Sequence, residues 1–370
     1  MKYGELKIEE LECNIAYSYY GAEGSMEIHA MITSDSVMKS AEEQFNAITE
    51  AITRFSSAEI AKNAILIWKR YFLSDPVNQQ GVIPKEPGVA ISIVGQPPLN
   101  HTKMALWCYW AEEATVGEAS EDGVLEIRKN GVSHYFHTAL HSKSENEYNQ
   151  TVDIFRRLTT SLSEYGMTLR NNLIRTWVFV QGVDTHYTGM VKARTEIFES
   201  EGLTDKTHYV ASTGIEGSYT VPQVCVFMDS YSISGLPKER ISFLYAPANL
   251  SPTHKYGVTF ERGTVVEFDD RAHIFISGTA SIDKDGEIVA PLDIIRQTSR
   301  TLENILALLN EAGSSFEDTA HLIVYLRDSA DYQTVKHHID SLLPRIPKVY
   351  LLAPVCRPGW LIEIECMAVR

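Results

Sequence analysis

Gln297-Thr-Ser-Arg-Thr-Leu-Glu-Asn-Ile-Leu-Ala-Leu-Leu-Asn-Glu-Ala-Gly313 decides the fold, because the chain contains its counterpart. That counterpart is Gln150-Thr-Val-Asp-Ile-Phe-Arg-Arg-Leu-Thr-Thr-Ser-Leu-Ser-Glu-Tyr-Gly166. The two align without a gap: Gln150 to Gln297 and Gly166 to Gly313 are both 147 positions apart. In the later copy Ile294, Ile295, Leu302, Ile305, Leu306 and Leu309 recur near helical spacing, which predicts one long amphipathic helix. The closing Gly suits the left-handed residue that commonly follows a helix. After each Gly comes a short connection and an apolar strand, at 175–179 and 322–326. A fainter copy begins near Gln44, with a helix through Arg54 and the strand-like Ala64-Ile-Leu-Ile-Trp68. The repeat is too long for a solenoid. It predicts three fused, domain-sized units, as arise when one gene absorbs a homotrimer.

The third copy shows the order of elements best. Strands are expected at 264–268 and 273–279, a helix at 293–310, a strand at 321–326 and a helix at 331–343 that Pro344 stops. Strands at 349–354 and 360–369 follow, around the turn Arg357-Pro-Gly359. The same ββαβαββ order fits the middle third, and the first third is the most diverged. The fold class is therefore α+β, with helices on one face of each sheet and the other face left needing a partner. The expected units are 1–116, 117–236 and 260–370, with 237–259 as linker or insertion. Two long stretches, 208–219 and 234–262, interrupt the pattern, and loops of that length are commonly functional.

Composition removes several classes of function. With 370 residues the chain can bury a large core. It contains no apolar run of the roughly 18 residues a membrane helix requires, and its first residues lack the apolar core of an export signal. Five cysteines without C-x-x-C spacing read as reduced, buried thiols, so a cytoplasmic location is expected. A net charge of -15 with no long Lys/Arg run disfavours nucleic acid as a partner. Neither a metal nor a nucleotide cofactor is expected, since no H-E-x-x-H, Cys/His cluster, P-loop or G-x-G-x-x-G occurs. His134, His137 and His141 read as one buried and two exposed imidazoles.

Ile276-Ser-Gly-Thr-Ala-Ser-Ile282, Gln297-Thr298, Leu302-Glu-Asn304, Gly313-Ser-Ser315 and Glu363-Ile-Glu365 resemble the Rid/YjgF-like (chorismate mutase-like) fold over residues 264 to 370. That resemblance implies a trimer with ligand clefts between subunits, here folded into one chain as a pseudo-trimer. A narrower resemblance covers residues 170 to 370. Arg175-Thr-Trp177, Ala211-Ser-Thr-Gly-Ile215, Tyr256-Gly257 with Phe260-Glu-Arg262, and Gly278-Thr-Ala-Ser-Ile282 are similar to the FkbO-type chorismatase family. Such enzymes remove the enolpyruvyl side chain of chorismate as pyruvate. The stretch between Tyr256 and Phe260 is shorter than the family's usual one, which leaves the substrate open.

Cleavage of an enol ether begins by protonating its methylene carbon, and that needs a carboxylic acid kept protonated near neutral pH by burial. Glu363 and Glu365 fall on one face of the last strand. The repeat comparison sets Phe227 opposite Glu363, so only the third copy supplies an acid there, and the resemblance makes Glu363 the family's acid. A dicarboxylate also needs fixed cations, for which Arg is better shaped than Lys. Arg175 interrupts an apolar strand, Arg262 lies in a chorismatase-like motif, and Arg194 lies on a predicted helix. Thr213 and Gly214 would offer backbone N–H groups, with Tyr256 as a wall. The carboxylate-clamping Arg of Rid-type imine deaminases would fall near Tyr350, with Leu352 beside it, and neither can form the clamp. The reading is a chorismatase-like enzyme acting on a small carboxylate, its site between the second and third units. A non-catalytic metabolite-binding protein and a Rid-like imine or enamine hydrolase are the alternatives. Assembly beyond the pseudo-trimer is open.

Overall fold

The computed structural model describes residues 1–117 and 124–370, with every side chain among them except that of Tyr256. Residues 118–123, at the start of the expected second unit, lie outside the described residues. The first six strands are β1 (Lys2–Ile8), β2 (Cys13–Tyr20), β3 (Glu27–Ser34), β4 (Ile65–Leu73), β5 (Ala90–Gly95) and β6 (Met104–Ala111). The next six are β7 (Thr115–Val116), β8 (Leu125–Lys129), β9 (Val132–His141), β10 (Leu173–Val180), β11 (Ala211–Glu216) and β12 (Val226–Ser234). The last six are β13 (Ile241–Leu244), β14 (Gly263–Glu267), β15 (Ala272–Ala280), β16 (Thr319–Leu326), β17 (Lys348–Leu352) and β18 (Ile362–Val369).

Each set forms one six-stranded sheet. The orders β1-β2-β3-β6-β4-β5, β7-β8-β9-β12-β10-β11 and β13-β14-β15-β18-β16-β17 are the same order three times. In every sheet one pair is parallel (β4 with β5, β10 with β11, β16 with β17) and every other pair is antiparallel. The matching long helices are Ala41–Ser57, Glu147–Glu164 and Ile294–Glu311, each N-capped by a side chain: Ser40, Asn146 and Asp293. Gly166 and Gly313 follow the last two, both with φ of 67°. A β-carbon is strained in that conformation, which explains the glycines that mark the repeat.

The three sheets close into a ring through backbone hydrogen bonds. The end of β5 bridges the second unit, where Gly95 N donates to Ser218 O at 2.8 Å. The end of β11 bridges the third, where Glu216 N donates to Pro354 O at 3.2 Å. The end of β17 returns to the first, where Leu352 N donates to Pro97 O and Leu99 N to Tyr350 O, both at 2.9 Å. The inner sheet faces meet in a shared core that includes Trp68, Trp107, Trp177, Phe179, Tyr231 and Phe275. Helix-on-sheet cores lie outside it in the first two units, for instance Ile48, Ile52 and Phe55, or Ile154, Phe155 and Leu158. Among the described residues no helix is long and apolar enough to cross a membrane.

Several stretches depart from the expectation. The segment 208–219 is not an insertion: it carries β11, which pairs in parallel with β10 along Arg175–Val180. The expected linker 237–259 carries β13, which pairs with β14 and completes the third sheet. In the first unit, Lys2–Ile8 pairs with β2, and the second helix shrinks to the single turn Pro76–Gln79. Of the three histidines, His137 is buried and accommodated by Ser161, while His134 and His141 are half-buried.

Candidate functional site

Two carboxylates on β18 occupy one face of the strand and have opposite surroundings. Glu365 is held by three donors: Arg175 Nη2 at 2.9 Å, Trp177 Nε1 at 2.9 Å and the Thr213 hydroxyl. Glu363 receives no hydrogen bond among the described residues and faces a cavity. Burial pushes its carboxyl up to about 8; the Glu365 carboxylate adds to the rise, and Arg175 and Arg262 partly offset it. One acid is thus held in an ion pair with Arg175, and the other is kept protonated near neutral pH.

The cavity lies between the second and third units. The helix Val183–Ser200 contributes Tyr187 and Arg194, and β11 contributes Ser212 and Gly214. From the third unit come Val258, Phe260 and Arg262 of the segment before β14, then Gly278, Ala280 and Ile282. Cys356, Arg357, Trp360 and Glu363 complete the wall. Its volume is about 40 Å³, room for roughly three waters. A ring-sized ligand enters only if part of this wall swings aside.

Arg194 is the most telling residue in it. Its side chain is 1% exposed, yet its Nε and Nη2 have no hydrogen-bond partner among the described residues. Nη1 reaches the Ser212 hydroxyl at 3.5 Å, and the Tyr187 hydroxyl lies beside the guanidinium. A buried guanidinium without a carboxylate is costly unless something anionic completes it. Arg262 is better held: its Nη2 donates to Ser251 O at 2.8 Å and its guanidinium lies 5.3 Å over the Phe260 ring. Arg357 lies 5.0 Å over the Trp360 ring. Among the described residues no three His, Cys, Asp or Glu side chains group as metal ligands.

The expected site residues therefore divide. Glu363, Arg194, Arg262 and Gly214 line one cavity. Arg175 and Thr213 stand behind it, which corrects the expectation that Arg175 clamps a substrate carboxylate. Its charge is already neutralised by Glu365, and both side chains are nearly inaccessible, at 2% and 4%. The Thr213 hydroxyl binds Glu365 and accepts from Gly278 N at 3.0 Å, so its side chain holds the site together. The backbone of Tyr256 closes the short turn Thr253–Tyr256, and its side chain lies outside the described residues. Tyr187, Phe260, Cys356, Arg357 and Trp360 are additional wall residues. Of these, only Arg357 had a legible signal, as a cation in the Pro-Gly turn six positions before the acid.

Two substitutions test this arrangement. Arg175→Met would strand Glu365 as a buried carboxylate, so a loss of about 3–5 kcal/mol in chemical denaturation is expected. Adding Glu365→Leu should recover most of that loss. At Gly278 a β-carbon would stand 2.1 Å from Glu363 Oε1. Gly278→Ala must displace the carboxyl, with about 1–3 kcal/mol of destabilisation expected. Carboxyl NMR should then find Glu363 titrating nearer the ordinary range.

The family model described as Endoribonuclease L-PSP matches residues 264–370. A RutC family protein of Pyrococcus abyssi is 48% identical over 100 residues, which cover 26% of this chain and 78% of that protein. The 3-aminoacrylate deaminase RutC of Acinetobacter baylyi is 30% identical over 97 residues, covering 26% of this chain and 77% of its own length. Through its C-terminal third the chain belongs to this RutC, or L-PSP, family. Beyond that third it is similar in fold to a crystal structure of chorismatase, with a TM-score of 0.65 over 82% of this chain and 92% of that one. At 19% identity that likeness is one of fold.

Proposed function

We propose that the chain is a chorismatase-like enzyme that cleaves the enolpyruvyl ether of chorismate, or of a related cyclic carboxylate, and releases pyruvate. The observation that carries this reading is the divided pair on β18. An enol ether needs a proton at its methylene carbon, and Glu363 is a protonated carboxyl aimed into a cavity. Its neighbour Glu365 is locked away as an ion pair and cannot compete for that role. Arg194, Arg262 and Arg357 on the same wall give two ligand carboxylates their partners. Protonation develops positive charge on the ether carbon; water adds there with loss of a proton, and the hemiketal then breaks its bond to the ring oxygen, which takes a proton, leaving pyruvate and the ring alcohol.

A second reading has its own support. An enamine is also hydrolysed by way of protonation at carbon, so the same acid suits the chemistry named for the RutC deaminase. The number of arginines favours a dicarboxylate over that smaller substrate. Incubation with chorismate and a coupled pyruvate assay separates the two: pyruvate release supports the first reading. No turnover of chorismate, with ammonia released from an enamine acid, would replace it with the second. Saturable chorismate binding without turnover would leave a binding protein. Under the first reading Arg194→Met is expected to weaken binding of chorismate or a competing dicarboxylate by about 2–3 kcal/mol. The free protein should become more stable, because the substitution removes a buried, uncompensated charge; calorimetry and a melting curve read the two effects.

A further inference from the structure

The ring has a second cleft at the pseudo-equivalent place, between the third unit and the first. The first parallel pair is Arg175 with Ala211 in the second sheet and Leu322 with Lys348 in the third. The matching bulges after Leu173 and Thr319 make His321 the counterpart of Arg175, so Lys348 stands where Ser212 stands and Tyr350 where Gly214 stands, the two β11 residues that line the first cavity. Here the segment that narrows the first cavity has no counterpart, and the cleft has a volume of about 640 Å³. None of its lining residues comes from β6, the counterpart of the strand that carries Glu363. It is a cleft without the acid.

Its two walls have opposite charge. The third unit contributes Lys336, Arg345 and Lys348 around the single carboxylate Asp340. Lys348 Nζ lies 3.1 Å from Asp340 Oδ1 and donates to Leu343 O at 2.7 Å, with its side chain 8% exposed. The first unit contributes the carboxylates Glu5 and Asp35 and no cation. Among the described residues no ion pair joins the two walls. Facing surfaces of opposite sign that do not neutralise each other set up a field across the gap. A molecule with an anionic end and a cationic end satisfies both walls at once, while a ligand of one sign is repelled by one of them.

We infer that this cleft binds a small zwitterion of the amino-acid class, its carboxylate toward Lys336, Lys348 and Arg345 and its ammonium toward Glu5 and Asp35. The site goes beyond the proposed reaction and does not depend on it. Calorimetry and NMR on the full chain test it with three probes of equal length: 5-aminopentanoate, glutarate and 1,5-diaminopentane. Saturable binding of 5-aminopentanoate alone is expected, weakening as salt is added. Asp35→Asn, at an exposed position that cannot compromise folding, should weaken it about tenfold. Lys348→Met should do at least as much. Turnover or binding of chorismate should be unchanged in Asp35→Asn, which keeps this outcome separate from that of the candidate active site. Failure of 5-aminopentanoate to bind, or binding of either singly charged probe as tightly, overturns the inference. So does binding unaffected by Asp35→Asn.

Discussion

Replacing Glu363 with glutamine is expected to abolish pyruvate release from chorismate and, at neutral pH, to make the protein more stable. Both effects have one cause. The carboxyl is pushed up to about 8 in the folded chain, chiefly by burial, against an ordinary value of about 4.3 in an unfolded one. Folding therefore takes up a proton between those values, and this residue's contribution to stability is fully present below about pH 4.3 and lost as pH rises toward 8. At pH 7 the cost amounts to about 3 kcal/mol. Glutamine fills the same volume and has no charge to desolvate, so the variant should gain most of that amount at pH 7 and little at pH 5. Its catalytic loss should be about 100- to 10,000-fold, the usual worth of a positioned general acid. Melting curves at the two pH values and a pyruvate assay check the pair of effects. A variant that keeps its activity, or loses stability at pH 7, would remove Glu363 from the role.

The same electrostatics makes the anion behind the acid part of the design. Glu365 is two residues from Glu363 on the same strand face, and its charge raises the neighbouring carboxyl. Arg175, Trp177 and Thr213 keep it there. The arrangement recurs one unit earlier, where Asp229 of β12 pairs with Arg70 of β4 at 2.9 Å and accepts from Ser92. At that junction Phe227 stands in place of the second acid, as the repeat comparison in the sequence predicts. The buried ion pair is thus a feature of the unit interface. The cavity acid beside it belongs to one interface only.

What could be read from the sequence follows physical lines. Helices with a regular apolar stripe and a terminal Gly identified the repeat, because periodicity and a positive-φ residue are local properties. β11 escaped because Ala211-Ser-Thr-Gly-Ile-Glu216 is small, polar and short of β-branched apolar residues. It is a strand because β10 offers it a parallel edge and the third unit covers it. β13 is a four-residue strand that exists only through its pairing with β14. At the site, the residue types were legible and their partners were not. Alternation placed Glu363 and Glu365 on one face, but which of them meets Arg175 depends on how two sheets abut 190 positions apart in the chain. Arg194 could be read from the sequence as a candidate cation on a helix, with nothing to show its burial. Only the packing of the third unit over that helix makes it a buried cation.

Acidification from pH 7 to 5 is expected to destabilise the protein through its buried imidazoles. His29, His137 and His321 are buried, with exposures of 3%, 2% and 2%. Burial lowers His29 to about 3 and His137 to about 4, and holds His321 well below the ordinary imidazole range, where His29 and two arginines add to the effect. Compensation is small: the Glu27 carboxylate partly offsets the fall at His29, while Nε2 of His29 and Nδ1 of both His137 and His321 lack a partner among the described residues. The unfolded chain binds these protons from about pH 6.5 downward, and the folded chain does not. Stability from these groups is thus complete above about pH 6.5 and is lost as pH falls toward their folded values. Each contributes about 1.4 kcal/mol per pH unit, and Glu363 works in the opposite direction below pH 8, so the net slope is about 3 kcal/mol per unit. From pH 7 to 5 the imidazoles cost about 6 kcal/mol, over the roughly 1.5 units below pH 6.5, and Glu363 returns about 3, a net loss of about 3 kcal/mol against a typical total of about 5–15. Denaturation midpoints measured between pH 7 and 5 read this slope. His321→Phe keeps the ring that packs against Trp107 and removes one titrating group, so its slope should be shallower by about one proton. A wild-type midpoint that stays level down to pH 5 would mean that these imidazoles take up protons in the folded protein, and that the aromatic centre of the ring is not sealed from water.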